Sequence, residues 1–390
     1  MATRLSVWPA ALVPKRVSIR ICGHLVEARS IIIMCVGRTP AYQTSILVTM
    51  QLAMPIGAFL ACALLLVPLP WHWRTRNIPT LSMIAWLFMS NFTHGINAII
   101  WSGRIHDVAP IWCDIVTKSH TGATAAGPAT CLSLVLQLWR VATSRPNNIK
   151  TFMLDIFLCW VYPVFTMALH IIVQGHRFNI RENLGCFGTT YVSLPAILIL
   201  YGPITAMGVL NFVFGGLAFF NFWRRRHSFA AGLERQKSPF HMRRYVRAMV
   251  VAILIATWDA VVIAMVDILA FQDGIHPYIS WEDVHFDFWR VGQIPITRVP
   301  PKQQVLFHAL WWSVPASAYW FFCCFALGDE GATEYALWYR WVLRIFGQTD
   351  PAGDLVELQP SSTPAPPQMD IIIHIKSDFD RSPSNSVEHF

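Results

Sequence analysis

Charge is scarce in this chain. Only 13% of its 390 residues are Asp, Glu, Lys or Arg, against 54% hydrophobic, where an ordinary soluble domain carries about 25% charged residues. That deficit excludes a conventional water-soluble globule, whose surface has to be clothed in charge. Acids are scarcer still, 22 against 30 Lys and Arg, for a net charge of +8. Catalytic signatures are missing as well: there is no HExxH helix, no glycine-rich phosphate loop and no GxSxG turn. No internal repeat is visible, unlike the inverted-repeat plan of many transporters. No cofactor or metal is implied.

What the chain has instead is apolar length. Seven segments, Ile46–Leu69, Ile78–Trp101, Trp112–Val135, Phe152–Val173, Val192–Phe222, Ala248–Ala270 and Val305–Phe325, are each about 20 or more residues long. A helix rises about 1.5 Å per residue, so about 20 residues cross a hydrocarbon layer of roughly 30 Å. The expected fold is all-α: a polytopic membrane protein built as a seven-transmembrane helix bundle over residues 46–326.

Basic residues in the short loops orient it. Loops after the odd helices hold Arg74 and Arg76, then Arg140, Arg145 and Lys150, then Arg224, Arg225, Arg226, Arg235, Lys237, Arg243, Arg244 and Arg247. Loops after the even helices hold only Arg104, then Arg177 and Arg181, then Arg290, Arg298 and Lys302. The odd loops are therefore cytoplasmic, the N-terminus outside and the C-terminus inside. The positive charge reads as contact with a lipid bilayer, and no nucleic-acid partner is expected.

The flanks differ from the bundle. Residues 1–45 are basic and form either a regulatory extension or an over-extended start, with Met50 as the alternative initiator. Thr333–Phe346 places Tyr335, Trp338, Tyr339, Val342 and Phe346 on one helical face, so a surface helix is expected over 327–347. Residues 348–390 are rich in Pro and Ser and expected to be disordered. The apolar island Asp370–Lys376 within them has no explanation.

Ionisable residues at membrane depth cost roughly 2.5–3.5 kcal/mol each on insertion scales, so each one calls for a partner or a cavity. Asp114 and Lys118 lie four apart in helix three, acid first, the favourable order for a helical pair. They form either a polar floor under a ligand pocket or a structural ion pair. Asn91, His94, Asn97 and Trp101 share about a third of the circumference of helix two, and such a stripe either meets a ligand or ties helices together. Asp259, mid helix six, reads as a neutral, hydrogen-bonded acid. His308, Trp311 and Trp312 in the outer half of helix seven line a cavity or join the interfacial aromatic belt. Helix seven has no lysine, and Lys302 precedes it, which excludes a retinal Schiff base.

Nine cysteines leave at least one unpaired. Cys113, at the outer end of helix three, and Cys186, in the second outer loop, are the two facing an oxidising compartment after Met50, so a Cys113–Cys186 disulfide is predicted.

Several stretches carry a resemblance: PLPWHWRTRNIPTLSMIAWL (Pro68–Leu87), NAIIW (Asn97–Trp101), WCDIVTK (Trp112–Lys118), GPA (Gly127–Ala129), LGC (Leu184–Cys186), FWRRRHSF (Phe222–Phe229), RRYVRAM (Arg243–Met249) and SWEDVHFDFWRVGQIP (Ser280–Pro295). In their order and spacing they resemble the fungal receptors for farnesylated peptide mating pheromones, class D G-protein-coupled receptors of the plasma membrane. The resemblance implies a farnesylated peptide pheromone as ligand, held at the outer helix ends and third outer loop, where Trp281, His285, Phe286 and Trp289 lie. It implies a heterotrimeric G protein as partner, met by Arg140, Arg224, Arg225, Arg226, Arg243, Arg244 and Arg247. The long N-terminus, Gln137–Arg140 and Thr257–Asp259 depart from the family pattern. From another class, a small-solute transporter is the alternative, and would need discontinuous helices meeting at the midplane.

Overall fold

The computed structural model describes residues 40–143, 145, 148–234 and 240–326. The expected surface helix over 327–347, the tail 348–390 and nearly all of the N-terminal extension lie outside the described residues. So do the side chains of 225–248, which include Arg225, Arg226, Arg243, Arg244 and Arg247. The described residues from Met50 onward pack as one unit.

Each apolar segment becomes a long helix: α1 Pro40–Leu66, α2 Ile78–Ile100, α3 Pro110–Ala142, α4 Ile149–Val173, α5 194–234, α6 Phe240–Phe271 and α7 Pro301–Ala326. Four spans, Ile78–Ile100, Ile149–Val173, Leu194–Arg224 and Met249–Phe271, are long and apolar enough to cross a membrane by length and composition alone. α3 is less apolar, with Gly, Thr, Ser and Pro residues along its middle.

Local chemistry sets the helix starts. The Asn77 side chain caps α2 by accepting from the Thr80 N–H, with Pro79 in the first turn. Asn148 and Thr151 form a reciprocal capping box at the start of α4. Within α4 the turn Phe157–Val161 widens to π geometry, and the Cys159 carbonyl accepts from the Trp86 indole N–H at 3.0 Å. Similar ties join α5 to α3 (Asn211 Nδ2 to the Pro128 carbonyl, 3.1 Å), α6 to α7 (Trp258 Nε1 to Ser317 Oγ, 2.7 Å) and α7 to α1 (Tyr319 hydroxyl to the Gly57 carbonyl, 2.6 Å).

Burial is inverted relative to a soluble protein. Asn91, Asn97, Asn211, Thr130 and Ser133 are buried, while Ile56, Ile115, Leu198, Val209 and Ile268 are more than half exposed. A hydrocarbon surrounding suits that arrangement. On the inner side the helices meet through Ala61, Leu65, Val135, Ala252, Ala256, Ala318 and Phe321, with small residues allowing close approach.

The outer loops add what the apolar pattern did not show. Three short strands, β1 Phe178–Arg181, β2 Gly185–Phe187 and β3 Val291–Ile294, form a sheet in the order β2-β1-β3, antiparallel and then parallel. Through it the second outer loop is hydrogen-bonded to the third. The turn between β1 and β2 needs left-handed backbone at Asn183 and Gly185. A Cβ on Gly185 would lie 2.5 Å from the Asn97 side chain, so glycine is required there on two counts.

Candidate functional site

A cavity of about 400 Å³ opens among the helices beneath the sheet. Its polar wall comes from α2 (His94), α3 (Thr117, His120, Thr121, Thr124) and α6 (Asp259, Asp267); Trp86, Trp258, Phe307 and Phe187 supply aromatic surface. Thr117, His120, Thr121 and Thr124 fall on one face of α3, a polar stripe at helical spacing that the sequence displays. The His94 and His120 rings lie 4.6 Å apart. His94 Nδ1 faces the Ser90 carbonyl at 2.9 Å, so that nitrogen carries the proton. Asp259 shares a hydrogen bond with the Cys131 thiol, as a hydrogen-bonded acid there would, while its Oδ2 is buried without a hydrogen-bond partner among the described residues.

Around the rim Asp114 and Lys118, read as a polar floor or an ion pair, each make a separate tie. Asp114 accepts a bidentate contact from Arg177, at 2.9 Å from Nε and 2.6 Å from Nη2. Lys118 Nζ donates to Gln174 Oε1 at 2.6 Å and to His170 Nδ1 at 3.2 Å. His170 therefore keeps its proton on Nε2, which faces the Thr190 hydroxyl at 3.0 Å. A planar fork matches a carboxylate better than a neighbouring ammonium does, and both ties fasten α3 to the segment entering β1. Hydrogen bonding to Asp114 raises the Arg177 pKa above its ordinary value. Cys113, beside Asp114, is disulfide-bonded to Cys186 of β2, with Cα atoms 5.4 Å apart. That bridge is packed with Trp101, Phe178 and Ile180.

Several candidate ligand contacts are packed or hydrogen-bonded within the protein. Trp101 is fully buried, its indole donating to the His106 carbonyl. Asn97 Oδ1 accepts from Trp112 Nε1 at 2.8 Å, and Asn91 donates to the Leu87 carbonyl. Trp311 is buried against His94 and Trp312, and His308 lies outside the cavity facing the Gln304 carbonyl. His285 sits between the carbonyls of Trp281 and Ile171, both at 2.8 Å, pinning the third outer loop to the end of α4. Trp281 stacks on that ring at 3.9 Å. Trp289 is 76% exposed and Phe286 90%, leaving apolar surface open at the outer face.

At the inner end, Arg140 is buried and not presented as an open contact. Its Nη2 lies 3.4 Å from both oxygens of Asp155 on α4, and Ser133 and Gln137 donate to the same carboxylate. Arg224 is exposed. The remaining expected inner contacts, Arg225, Arg226, Arg243, Arg244 and Arg247, fall outside the described side chains.

Among the described residues, a bundle of seven long helices with apolar residues on its outside, a cavity among them and disulfide-anchored outer loops defines a polytopic membrane-protein architecture. The sequence profile of the pheromone A receptor family (STE3) matches residues 53–345, and the chain belongs to that family. It is 40% identical over 309 residues to the pheromone B beta 1 receptor of Schizophyllum commune, covering 77% of this chain and 57% of that one. It is 34% identical over 305 residues to the pheromone B alpha 2 receptor of the same organism, covering 76% of this chain and 47% of that one. The chain thus spans about half the length of these curated relatives. Squid rhodopsin shares 12% identity at a TM-score of 0.48, covering 83% of this chain and 93% of its own.

Proposed function

We propose that this chain is a plasma-membrane receptor for a farnesylated peptide mating pheromone, and that ligand binding shifts the bundle toward a form that engages a heterotrimeric G protein. Family membership across residues 53–345 carries the reading and favours a receptor over a transporter. The cavity fits it chemically. Its aromatic wall suits an isoprenoid, and its polar wall on α2, α3 and α6 suits a peptide. Trp281 and Trp289 on the third outer loop and Trp312 beside the cavity wall offer further apolar contact. Of the inner basic residues, Arg224 to Arg226 are the proposed G-protein contacts, since Arg140 is engaged with Asp155.

The test is a reporter strain deprived of its own receptor and supplied with this one. Farnesylated peptides from a panel should signal, and the bare peptides should be at least about 100-fold weaker, nearly 3 kcal/mol. Apolar burial is worth about 0.8 kcal/mol per methylene, part of which is already realised when the lipid enters the bilayer. Equal potency of lipidated and bare peptides would remove the lipopeptide reading, and a response that persists without the G-protein α subunit would remove the coupling.

A further inference from the structure

Arg181 ends β1 and its guanidinium lines the outer part of the cavity. The guanidinium carbon lies 3.8 Å from the ring centre of Phe307 and 4.5 Å from that of Phe187, one on α7 and one on β2. Its Nε is buried without a hydrogen-bond partner, and no carboxylate pairs with it among the described residues. Nearby charges are accounted for differently. Arg177 is held by Asp114, and Glu182 accepts the Ile296 N–H at 2.9 Å. Burial pushes the Arg181 pKa down to about 10, which still leaves it charged at neutral pH.

A partly buried cation without a counter-ion is costly, and two aromatic faces offset only part of that cost. The same surroundings make it a strong receptor for an anion. The rings exclude water, and the planar fork matches a carboxylate through two parallel hydrogen bonds. Asp267 lies on the α6 wall of the same cavity, so an anion is drawn toward Arg181 rather than toward α6.

We propose that Arg181 is a specificity-determining residue that receives a carboxylate of the peptide ligand, from an acidic side chain or the chain terminus. This rests on the lipopeptide-receptor reading and extends it to the chemistry of the peptide.

The test uses the full chain in the reporter strain and a library of peptides farnesylated on a C-terminal cysteine. Activating peptides are remade with each acidic side chain as its amide, and with the C-terminus as free acid or methyl ester. One neutralisation should raise the half-effective concentration at least about 30-fold on the wild type, a loss typical of an unpaired buried charge. The same neutralisation should matter less than about 3-fold on Arg181→Met, which keeps the packing between the rings. Arg181→Lys, which keeps the charge without the fork, should fall between the two and replaces the Met variant if that fails to reach the surface. Full activity of wholly neutral peptides on the wild type would overturn the proposal. So would an unchanged carboxylate requirement in the variant that reaches the surface. Failure of every farnesylated peptide on the wild type would instead remove the lipopeptide reading itself.

Discussion

At the residue scale, the inner ion pair gives the sharpest expectation. Arg140 and Asp155 are both buried, so removing one charge strands the other, at a cost of about 3–5 kcal/mol. Asp155→Asn should lower the thermal unfolding temperature of the purified receptor markedly. The double variant Arg140→Leu with Asp155→Leu should be more stable than either single change. Additive losses in that cycle would mean that the two residues do not act as a pair. His176 gives a pH dependence in the outer loops. Its Nε2 donates to Asn179 Oδ1 at 2.8 Å and Nδ1 accepts from Arg290 at 3.3 Å, which fixes a neutral ring. Burial first, and the Arg290 charge after the opposing Asn179 hydrogen bond, hold its pKa below the ordinary histidine value. A depressed folded pKa contributes stability that is whole above the unfolded value, near 6.5, and is lost as pH falls through the folded one. Melting curves between about pH 7.5 and pH 5 should therefore show a smaller acid loss for His176→Gln than for the wild type. Identical slopes would clear His176 of any part in it. Residue partners were the least legible in the sequence. The polar stripe on α3 could be read from spacing, but no local signal links Asp155 to Arg140 or leaves Arg181 without an acid, because such pairings are decided by tertiary packing.

At the scale of elements, the seven apolar runs each found a helix, and the differences lie at the ends. α3 continues beyond Val135 to Ala142, and α5 beyond Phe222 to Glu234, because a helix does not stop where the hydrocarbon does. The outer sheet was not legible: FNIR, GCF and VGQI are too short for an alternating pattern. The Cys113–Cys186 bond could be anticipated from topology, since among the cysteines after Met50 only that pair faces the oxidising side. It closes a loop across a sequence separation of 73 residues, for which chain entropy gives about 4 kcal/mol of stabilisation. Cys113→Ser should therefore lower surface expression and loosen the outer loops. Faster hydrogen exchange across Phe178–Phe187 would report the loosening, and unchanged exchange there would show that the sheet and the Arg177–Asp114 contact suffice.

For the whole molecule, inverted burial makes a directional statement about substitution. Val209, in the middle of the α5 span, is 58% exposed. Val209→Arg should reduce membrane integration by the roughly 2.5–3.5 kcal/mol that insertion scales assign to a central charge. A glycosylation-mapping insertion assay would measure it, and unimpaired integration would mean that this face meets protein or water. Only the fold class and orientation were open to this kind of reading from the sequence. The cavity was not, because it is a property of seven helices together.

The parallel pairing of β1 with β3 also bears on how the receptor is made. Phe178 lies opposite Val291, a residue synthesised only after α5 and α6. Until then β1 has β2 on one side and an open edge on the other, a surface that invites pairing with a foreign strand. The Cys113–Cys186 bond needs no such wait, since both cysteines precede α5. Oxidation can thus lock the first half of the outer face while the second is still being translated. A chain ending before Val291 would hold both cysteines of the bond and lack the strand that pairs with the far edge of β1.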